Sequence, residues 1–193
     1  MYFARLNYFF LIAIIALIAG CDNSAKNASD KNLPDKNLIV VIIRHAEKPA
    51  SGDNLSCQGE NRALQLVNVL YQKFKQPDYT YVPALKLDKN TAHSRMFQTV
   101  TPLAIKYNLT INSQYNEKDA KRVAKSVFKK TGTVLMVWEH SAIADLARAL
   151  GVDKPPKWHA EDFDSIWIVT YANGRAALAE DREGLSPSAN CSF

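Results

Sequence analysis

The chain has 193 residues, of which 47% are hydrophobic, and it carries 24 Lys and Arg against 19 Asp and Glu. The length allows one domain with a single hydrophobic core. The excess of positive charge is mild and scattered along the sequence. Because no aromatic residues interleave with the basic stretch at 121–130, the pattern argues against nucleic-acid binding.

The N-terminal residues resemble a lipoprotein signal peptide. Arg5 precedes an uninterrupted apolar run at 9–18, which is shorter than the roughly 20 residues that span a bilayer. The run ends in Ala-Gly-Cys21, which resembles a bacterial lipobox, so we expect residues 1–20 to be removed and Cys21 to be lipidated. The alternative is an uncleaved membrane anchor. Asp22 resembles an inner-membrane retention signal, which predicts a lipid-anchored protein of the bacterial cell envelope that faces the periplasm.

Polar residues without apolar periodicity follow this segment. Residues 21–37 are predicted to form a flexible tether, and residues 38–193 the folded domain. With Cys21 lipidated, Cys57 and Cys191 remain as a pair in an oxidising compartment. The sequence is compatible with a disulfide between them and with two separate thiols. The sequence contains no Cys-x-x-Cys motif and no Cys/His cluster that would predict a metal site.

Strand patterns and helix patterns alternate along the domain. Strands are predicted at 38–43, 79–82, 109–111, 133–138, 165–171 and 176–180. Helices are predicted at 63–74, 96–107, 120–128 and 141–150. Pro102 predicts either a kink in the second helix or a start near Thr101, and Ser141 is the expected N-cap of the fourth. The alternation predicts a three-layer α/β/α sandwich with a mostly parallel central sheet.

Histidines follow two of the buried-strand patterns. Arg44 and His45 come at the end of the first predicted strand, and His140 follows the fourth. Parallel strands would bring both ends to one edge of the sheet, where ligands bind in open α/β folds. An imidazole can act as a nucleophile or proton carrier, and a guanidinium offers fixed donors to an oxyanion. Arg95, near the start of the second helix, is a further candidate for a phosphate site.

Four segments resemble the motifs of the histidine phosphatase superfamily, whose members are also called phosphoglycerate-mutase-like. They occur in the family's order and cover most of residues 38–171. The segments are Arg44-His45-Ala46-Glu47, Leu55-Ser56-Cys57-Gln58-Gly59 with Arg62-Ala63, Thr91–Thr99, and Val137-Trp138-Glu139-His140-Ser141.

This resemblance implies a histidine phosphatase-like fold and a phosphatase that needs no metal or other cofactor. By the match, His45 attacks phosphorus and becomes phosphohistidine, while Arg44, Arg95 and His140 surround the phosphoryl oxygens. The implied substrates are phosphorylated small molecules or phosphoproteins, and water then hydrolyses the phosphohistidine.

The family's general acid has no clear counterpart in this chain. Glu117 and Asp119 lie in the interval where one branch of the family carries it, but both are expected at the start of a solvated helix. Glu139 and Glu47, which adjoin the two motif histidines, are the other catalytic candidates. Strand alternation points Glu139 away from His140. A family member without the acid would act on phosphohistidine or on other substrates with good leaving groups. The alternative to a phosphatase is a non-catalytic phosphate- or anion-binding lipoprotein of the envelope.

Overall fold

The described part of the chain contains six strands and four helices, which alternate as far as the fifth strand; the sixth strand then follows the fifth directly. A computed structural model describes residues 33–34, 37–86, 93–191 and 193, so the predicted signal peptide at 1–20 and most of the predicted tether lie outside it. In chain order the elements are β1 (Leu38–Arg44), α1 (Cys57–Phe74), β2 (Tyr79–Pro83), α2 (Ser94–Tyr107), β3 (Ile111–Tyr115), α3 (Ala120–Val127), β4 (Gly132–Trp138), α4 (His140–Ala149), β5 (Ser165–Ala172) and β6 (Arg175–Arg182). No helix within these described ranges has the length and apolarity needed to cross a bilayer.

All six strands belong to one mixed sheet, in the order β3-β2-β4-β1-β5-β6. β1 runs parallel to β4, in a register that sets Arg44 opposite Trp138, and β2 runs parallel to both β3 and β4. β5 is antiparallel to β1 and to β6. The carboxyl ends of β1 and β4 therefore meet at one edge, as predicted for the two histidine segments.

Helices cover both faces of the sheet, which confirms the predicted three-layer sandwich. Successive side chains of a strand point to opposite faces. Val40 and Ile42 of β1 belong to the core packed under α3 and α4. Val41 and Ile43 belong to the core packed under α1 and α2. A strand buried on both faces explains why the sequence at 38–43 is continuously apolar.

The predicted bounds of β3 were wrong, and one of the two alternatives for α2 is excluded. β3 spans Ile111–Tyr115 and not 109–111. Its polar residues lie at the edge of the sheet, where the hydrophobic pattern is weak. α2 begins at Ser94 and continues through Pro102, which excludes the start near Thr101.

The start of α4 also differs from the prediction. Glu139, and not Ser141, is the N-cap residue, and it makes no side-chain capping hydrogen bond. The carbonyl of Glu139 instead accepts a hydrogen bond from the backbone N–H of Ala142 at 2.9 Å. α4 therefore begins at His140, directly at the edge of the sheet.

A disulfide fixes the C-terminal tail to α1. It joins Cys57, at the first position of α1, to Cys191, with 4.7 Å between the two Cα atoms. Nearby on α1, the side-chain amide of Asn61 donates hydrogen bonds to the carbonyl oxygens of Ser188 at 2.9 Å and Asn190 at 2.7 Å. Of the two possibilities open for these cysteines, the structure has the bonded pair.

Candidate active site

The first part of the site is the end of β1. Arg44 is the last residue of the strand. His45 extends the pairing with β4 by one residue, because its backbone N–H donates to the carbonyl of Trp138 at 3.1 Å. Both side chains are buried, with exposed fractions of 2% for Arg44 and 1% for His45. A buried guanidinium and a buried imidazole are costly unless they serve a partner or a ligand.

The backbone carbonyl of Ala46 sets the orientation of the His45 ring. His45 Nδ1 lies 2.7 Å from this oxygen. A carbonyl oxygen only accepts hydrogen bonds, so the proton of the neutral ring resides on Nδ1. In the neutral ring Nε2 then carries the lone pair. When the ring is protonated, Nε2 donates to Oε2 of Glu139, which lies 3.5 Å away. The nitrogen that a nucleophile needs therefore points into the site.

The segment after His45 is held by α1 and α2. The backbone N–H of Ala46 donates to Oγ1 of Thr99 on α2 at 2.9 Å. On α1, a Cβ atom at Gly59 would lie 2.2 Å from the carbonyl oxygen of Glu47. This close approach explains the glycine in the second family-like segment, because any larger residue would push the chain that follows His45 out of place.

Glu139 bridges the two histidines. Its Oε1 lies 2.5 Å from Nδ1 of His140, while Oε2 faces His45. Burial acts to raise the pKa of Glu139, but hydrogen bonding to His45 and attraction to His45, His140 and Arg44 lower it to about 2. The prediction that strand alternation turns Glu139 away from His140 was wrong, because the chain leaves the strand at Trp138 and His140 already belongs to a helix.

The protonation of His140 follows from this contact. Glu139 is ionised at neutral pH and can only accept, so Nδ1 of His140 carries a proton. Nη2 of Arg44 also lies 3.4 Å from this Nδ1, as a close cation and not as a hydrogen-bond donor. Burial, then the charge of Arg44, lowers the pKa of His140, while Glu139 opposes the shift.

Arg44 is held by the loop that precedes β5. Its Nη1 donates to the backbone carbonyls of Ala160 and, at 3.3 Å, Asp162. Its guanidinium carbon lies 3.7 Å from the centre of the Phe163 ring, which also meets His45 edge-on with 6.2 Å between ring centres. Burial lowers the pKa of Arg44, against the pull of Glu139 and other nearby carboxylates.

One donor of Arg44 is unsatisfied. Its Nε is buried and has no hydrogen-bond partner among the described residues. A buried charged donor without an acceptor is rare in native proteins and indicates a place for a ligand oxygen. Phe163 and the loop carbonyls around Arg44 could not be predicted from the sequence. Backbone oxygens have no sequence signature, and a single aromatic residue between acidic residues matches no motif.

Two of the predicted site residues have other partners. The guanidinium of Arg95 donates to the backbone carbonyls of Asn54 at 3.2 Å and Gly52 at 2.5 Å. The carboxylate of Glu47 accepts from Nε and Nη2 of Arg62 at 2.8–3.0 Å. Neither contact reaches the imidazole of His45.

Arg62 is the centre of a buried ionic network. It also pairs with Glu183 at 2.5 Å and lies 3.9 Å from Asp164. Burial raises the pKa of Glu183 to about 8 although Arg62 opposes the shift. The carboxylate of Glu47 is occupied by its contact with Arg62.

The acidic residues between the second arginine and the second histidine are also paired. Glu117 makes a close ion pair with Nε2 of His93, whose Nδ1 lies 2.8 Å from the carbonyl of Ala84. Asp119 pairs with Arg122 on the surface at 3.2 Å. Glu117 is thus mostly buried against a histidine and not at the start of a solvated helix, whereas Asp119 is where the sequence predicts it.

The cluster has the residue types of a metal site but a charge that favours anions. Ligand atoms of His45, Glu139 and His140 lie within 4.8 Å of one another, and two imidazoles with a carboxylate are a common zinc ligand set. Nη2 of Arg44 lies 3.4 Å from Nδ1 of His140, beside these ligand atoms. A second cation is repelled there, whereas the N-terminal end of α4 and Arg44 together attract an oxyanion.

Solved structures with this arrangement of elements provide a comparison. A mutant phosphoserine phosphatase from Entamoeba histolytica in complex with phosphoserine matches with a TM-score of 0.53 and 12% identity, over 76% of this chain and 97% of that one. The protein histidine phosphatase SixA with tungstate matches with a TM-score of 0.52 and 16% identity, over 75% and 97%. The chain has the histidine phosphatase fold.

A third structure with the histidine phosphatase fold supports the same conclusion. A mycobacterial glucosyl-3-phosphoglycerate phosphatase with inorganic phosphate has a TM-score of 0.52 and 16% identity, over 73% of this chain and 95% of that one. No protein-family model matches the sequence, and no curated protein matches it. The resemblance found in the four sequence segments is therefore confirmed as a histidine phosphatase fold.

Proposed function

We propose that the protein is a phosphatase that acts through a phosphohistidine intermediate on His45. The observation that carries this proposal is the orientation of the His45 ring, whose Nδ1 is held by the carbonyl of Ala46 and whose Nε2 faces the cluster. The buried, unpartnered Nε of Arg44 supports an oxyanion as the ligand. The fold, shared with three phosphatases, agrees with this chemistry.

The reaction has two steps. In the first, Nε2 of His45 attacks phosphorus, a P–N bond forms, and the leaving group departs with the electron pair of its bond to phosphorus. Arg44 and His140 stabilise the charge on the phosphoryl oxygens. In the second step, water attacks phosphorus, the P–N electron pair returns to Nε2, and Glu139 accepts a proton from the water.

None of the three glutamates that the sequence offers as the general acid is free to protonate the leaving group. Glu139 is ionised, because its pKa is lowered to about 2. Glu47 is bound by Arg62, and Glu117 is bound by His93. The substrates that suit this site are those with good leaving groups, of which phosphohistidine in a protein is one and an aryl phosphate another.

The test is the chemistry of labelling and turnover. Incubation with a radiolabelled phosphoramidate should leave acid-labile, base-stable phosphate on the wild-type protein and none on His45→Ala. His159→Ala, which alters an exposed histidine, is the matched control and should be labelled normally. Hydrolysis of p-nitrophenyl phosphate should follow the same pattern.

Two outcomes would contradict the proposal. Labelling or turnover that persists in His45→Ala would assign the nucleophile elsewhere. Binding of phosphate without labelling or turnover would instead support the alternative, an anion-binding protein of the envelope.

The dependence of the rate on the leaving group tests whether a general acid takes part. Alkyl phosphates should react more slowly than aryl phosphates by more than the factor of about 10²–10⁴ that a general acid supplies. Equal rates for the two classes would contradict the absence of an acid.

The sequence supports a cellular location for this activity. A lipid on Cys21 would hold the domain at the periplasmic face of the bacterial cell envelope, and Asp22 favours the inner membrane. Cys21 lies outside the described residues, so this part of the proposal rests on the signal-peptide pattern. Incorporation of palmitate that persists in Cys21→Ser would contradict it.

A further inference from the structure

One short stretch of the chain carries as much net positive charge as the whole sequence. Residues 118–130 contain six Lys and Arg and one Asp, a net charge of +5. The net charge of the whole chain is also +5, so the other residues balance. Five exposed cations, spaced so that they share one side of α3 and its flanking turns, form what we call the α3 basic face: Lys118, Lys121, Arg122, Lys125 and Lys129.

These cations have few partners within the protein. Arg122 pairs with Asp119 at 3.2 Å, and no other member of the α3 basic face is in an ion pair with a described residue. The opposite side of α3 is buried in the core through Val123, Ala124 and Val127. Like charges on neighbouring helical turns repel one another, so such a surface is stabilised when it meets a polyanion.

The point where the chain enters the domain lies beside this surface. The carbonyl of Asn37 accepts a hydrogen bond from the backbone N–H of Gly132 at 2.6 Å, three residues after Lys129. Leu33 packs against the core that lies under α3 and α4. Because Leu33 and Asn37 are docked on the domain, the part of the predicted tether that stays free is residues 21–32, for which a flexible chain spans roughly 20 Å. A lipid at its far end would therefore keep the α3 basic face close to the bilayer, where even a weak attraction suffices.

We propose that the α3 basic face binds the anionic headgroups of a phospholipid bilayer. Its cations complement the negative surface of such a membrane, to which each nearby Lys or Arg is attracted by about 1 kcal/mol. The catalytic edge of the sheet stays free, because His45 and His140 follow the carboxyl ends of β1 and β4, whereas Asn37 precedes β1. This inference rests on the lipid anchor proposed above and is independent of the proposed phosphatase activity.

The test uses the full chain with two kinds of vesicle, one of phosphatidylcholine alone and one of phosphatidylcholine mixed equally with phosphatidylglycerol. Reaction with an amine-reactive ester, read by mass spectrometry, reports the accessibility of each lysine. On the anionic vesicles, Lys121, Lys125 and Lys129 should react about fivefold more slowly than on the neutral ones, which corresponds to the attraction of about 1 kcal/mol per cation. High salt should abolish the difference.

Lysines on the other face of the sheet provide the reference and the matched variant. Exposed lysines of α1 and α2 and the residue after α1 should react equally on both vesicles; they are Lys73, Lys75 and Lys106. The triple variant Lys121→Gln, Lys125→Gln, Lys129→Gln should lose the protection of Lys118. The control Lys73→Gln, Lys75→Gln, Lys106→Gln should keep the protection of the α3 basic face.

Three results would overturn the proposal. Compared with the protein without vesicles, α3 lysines that are unprotected on both kinds of vesicle would exclude binding to anionic lipid and leave an acidic protein as the occupant of the surface. Protection that is equal on both kinds of vesicle would mean that tethering, and not charge, buries the face. Protection of the lysines on α1 and α2 instead would mean that the opposite side of the domain meets the membrane.

Discussion

Replacement of Glu139 by Gln should tighten the binding of inorganic phosphate. The carboxylate lies against His45 and His140, so an incoming oxyanion must take its place. Lowering of the Glu139 pKa from 4.5 to about 2 corresponds to about 3 kcal/mol of attraction to its cationic neighbours. If this attraction is given up on phosphate binding, its removal should increase the affinity by as much as ~100-fold.

Isothermal titration with phosphate at pH 7 measures this change. Glu117→Gln is the matched control, because that carboxylate pairs with His93 and should leave the affinity unchanged. Turnover by Glu139→Gln should fall, with labelled phosphohistidine accumulating, because the base for the second step is lost. Weaker or unchanged phosphate binding in Glu139→Gln would refute the argument that the carboxylate occupies the phosphate site.

The same variant has a predicted pH dependence. A carboxyl group whose pKa is depressed by folding stabilises the protein above its ordinary pKa and loses that contribution as the pH falls toward the folded value. The free energy of unfolding of wild type should therefore exceed that of Glu139→Gln by about 3 kcal/mol above pH 4.5, and the difference should disappear toward pH 2. Urea denaturation across this range measures it, and a difference independent of pH would contradict the ionic origin.

The remaining predictions concern stability. Arg62→Met should lower the free energy of unfolding at pH 7 by about 3–5 kcal/mol, because Glu47 stays buried without its cation and Glu183 without its hydrogen-bond donor. Denaturant unfolding measures it, and a loss below 1 kcal/mol would mean that water replaces the guanidinium. Cys57→Ser with Cys191→Ser should cost about 2–5 kcal/mol, since the bond closes a loop with a sequence separation of 134. An unchanged melting temperature after reduction of the wild type would contradict this second prediction.

The sequence by itself determined the sandwich and the meeting of the two histidine segments. The continuous apolar runs before His45 and after Thr131 predict strands buried on both faces, and parallel pairing of such strands brings their ends together. The family-like segments gave Arg44, His45 and His140, all three of which the structure brings together. These features depend on residues close in sequence and on a periodic pattern, so they are readable without coordinates.

Only the tertiary structure decided how these residues are partnered. Glu139 contacts both histidines because the chain leaves β4 and turns into α4 at that residue, which strand alternation does not predict. Phe163 covers Arg44 from a loop more than 100 residues away, and Glu47 is drawn to Arg62 and away from catalysis. Of the glutamates that the sequence offers as the general acid, Glu139 is ionised, and Glu47 and Glu117 are already paired. Their partners Arg62 and His93 lie on other elements, so these contacts follow from the tertiary structure and not from the local sequence.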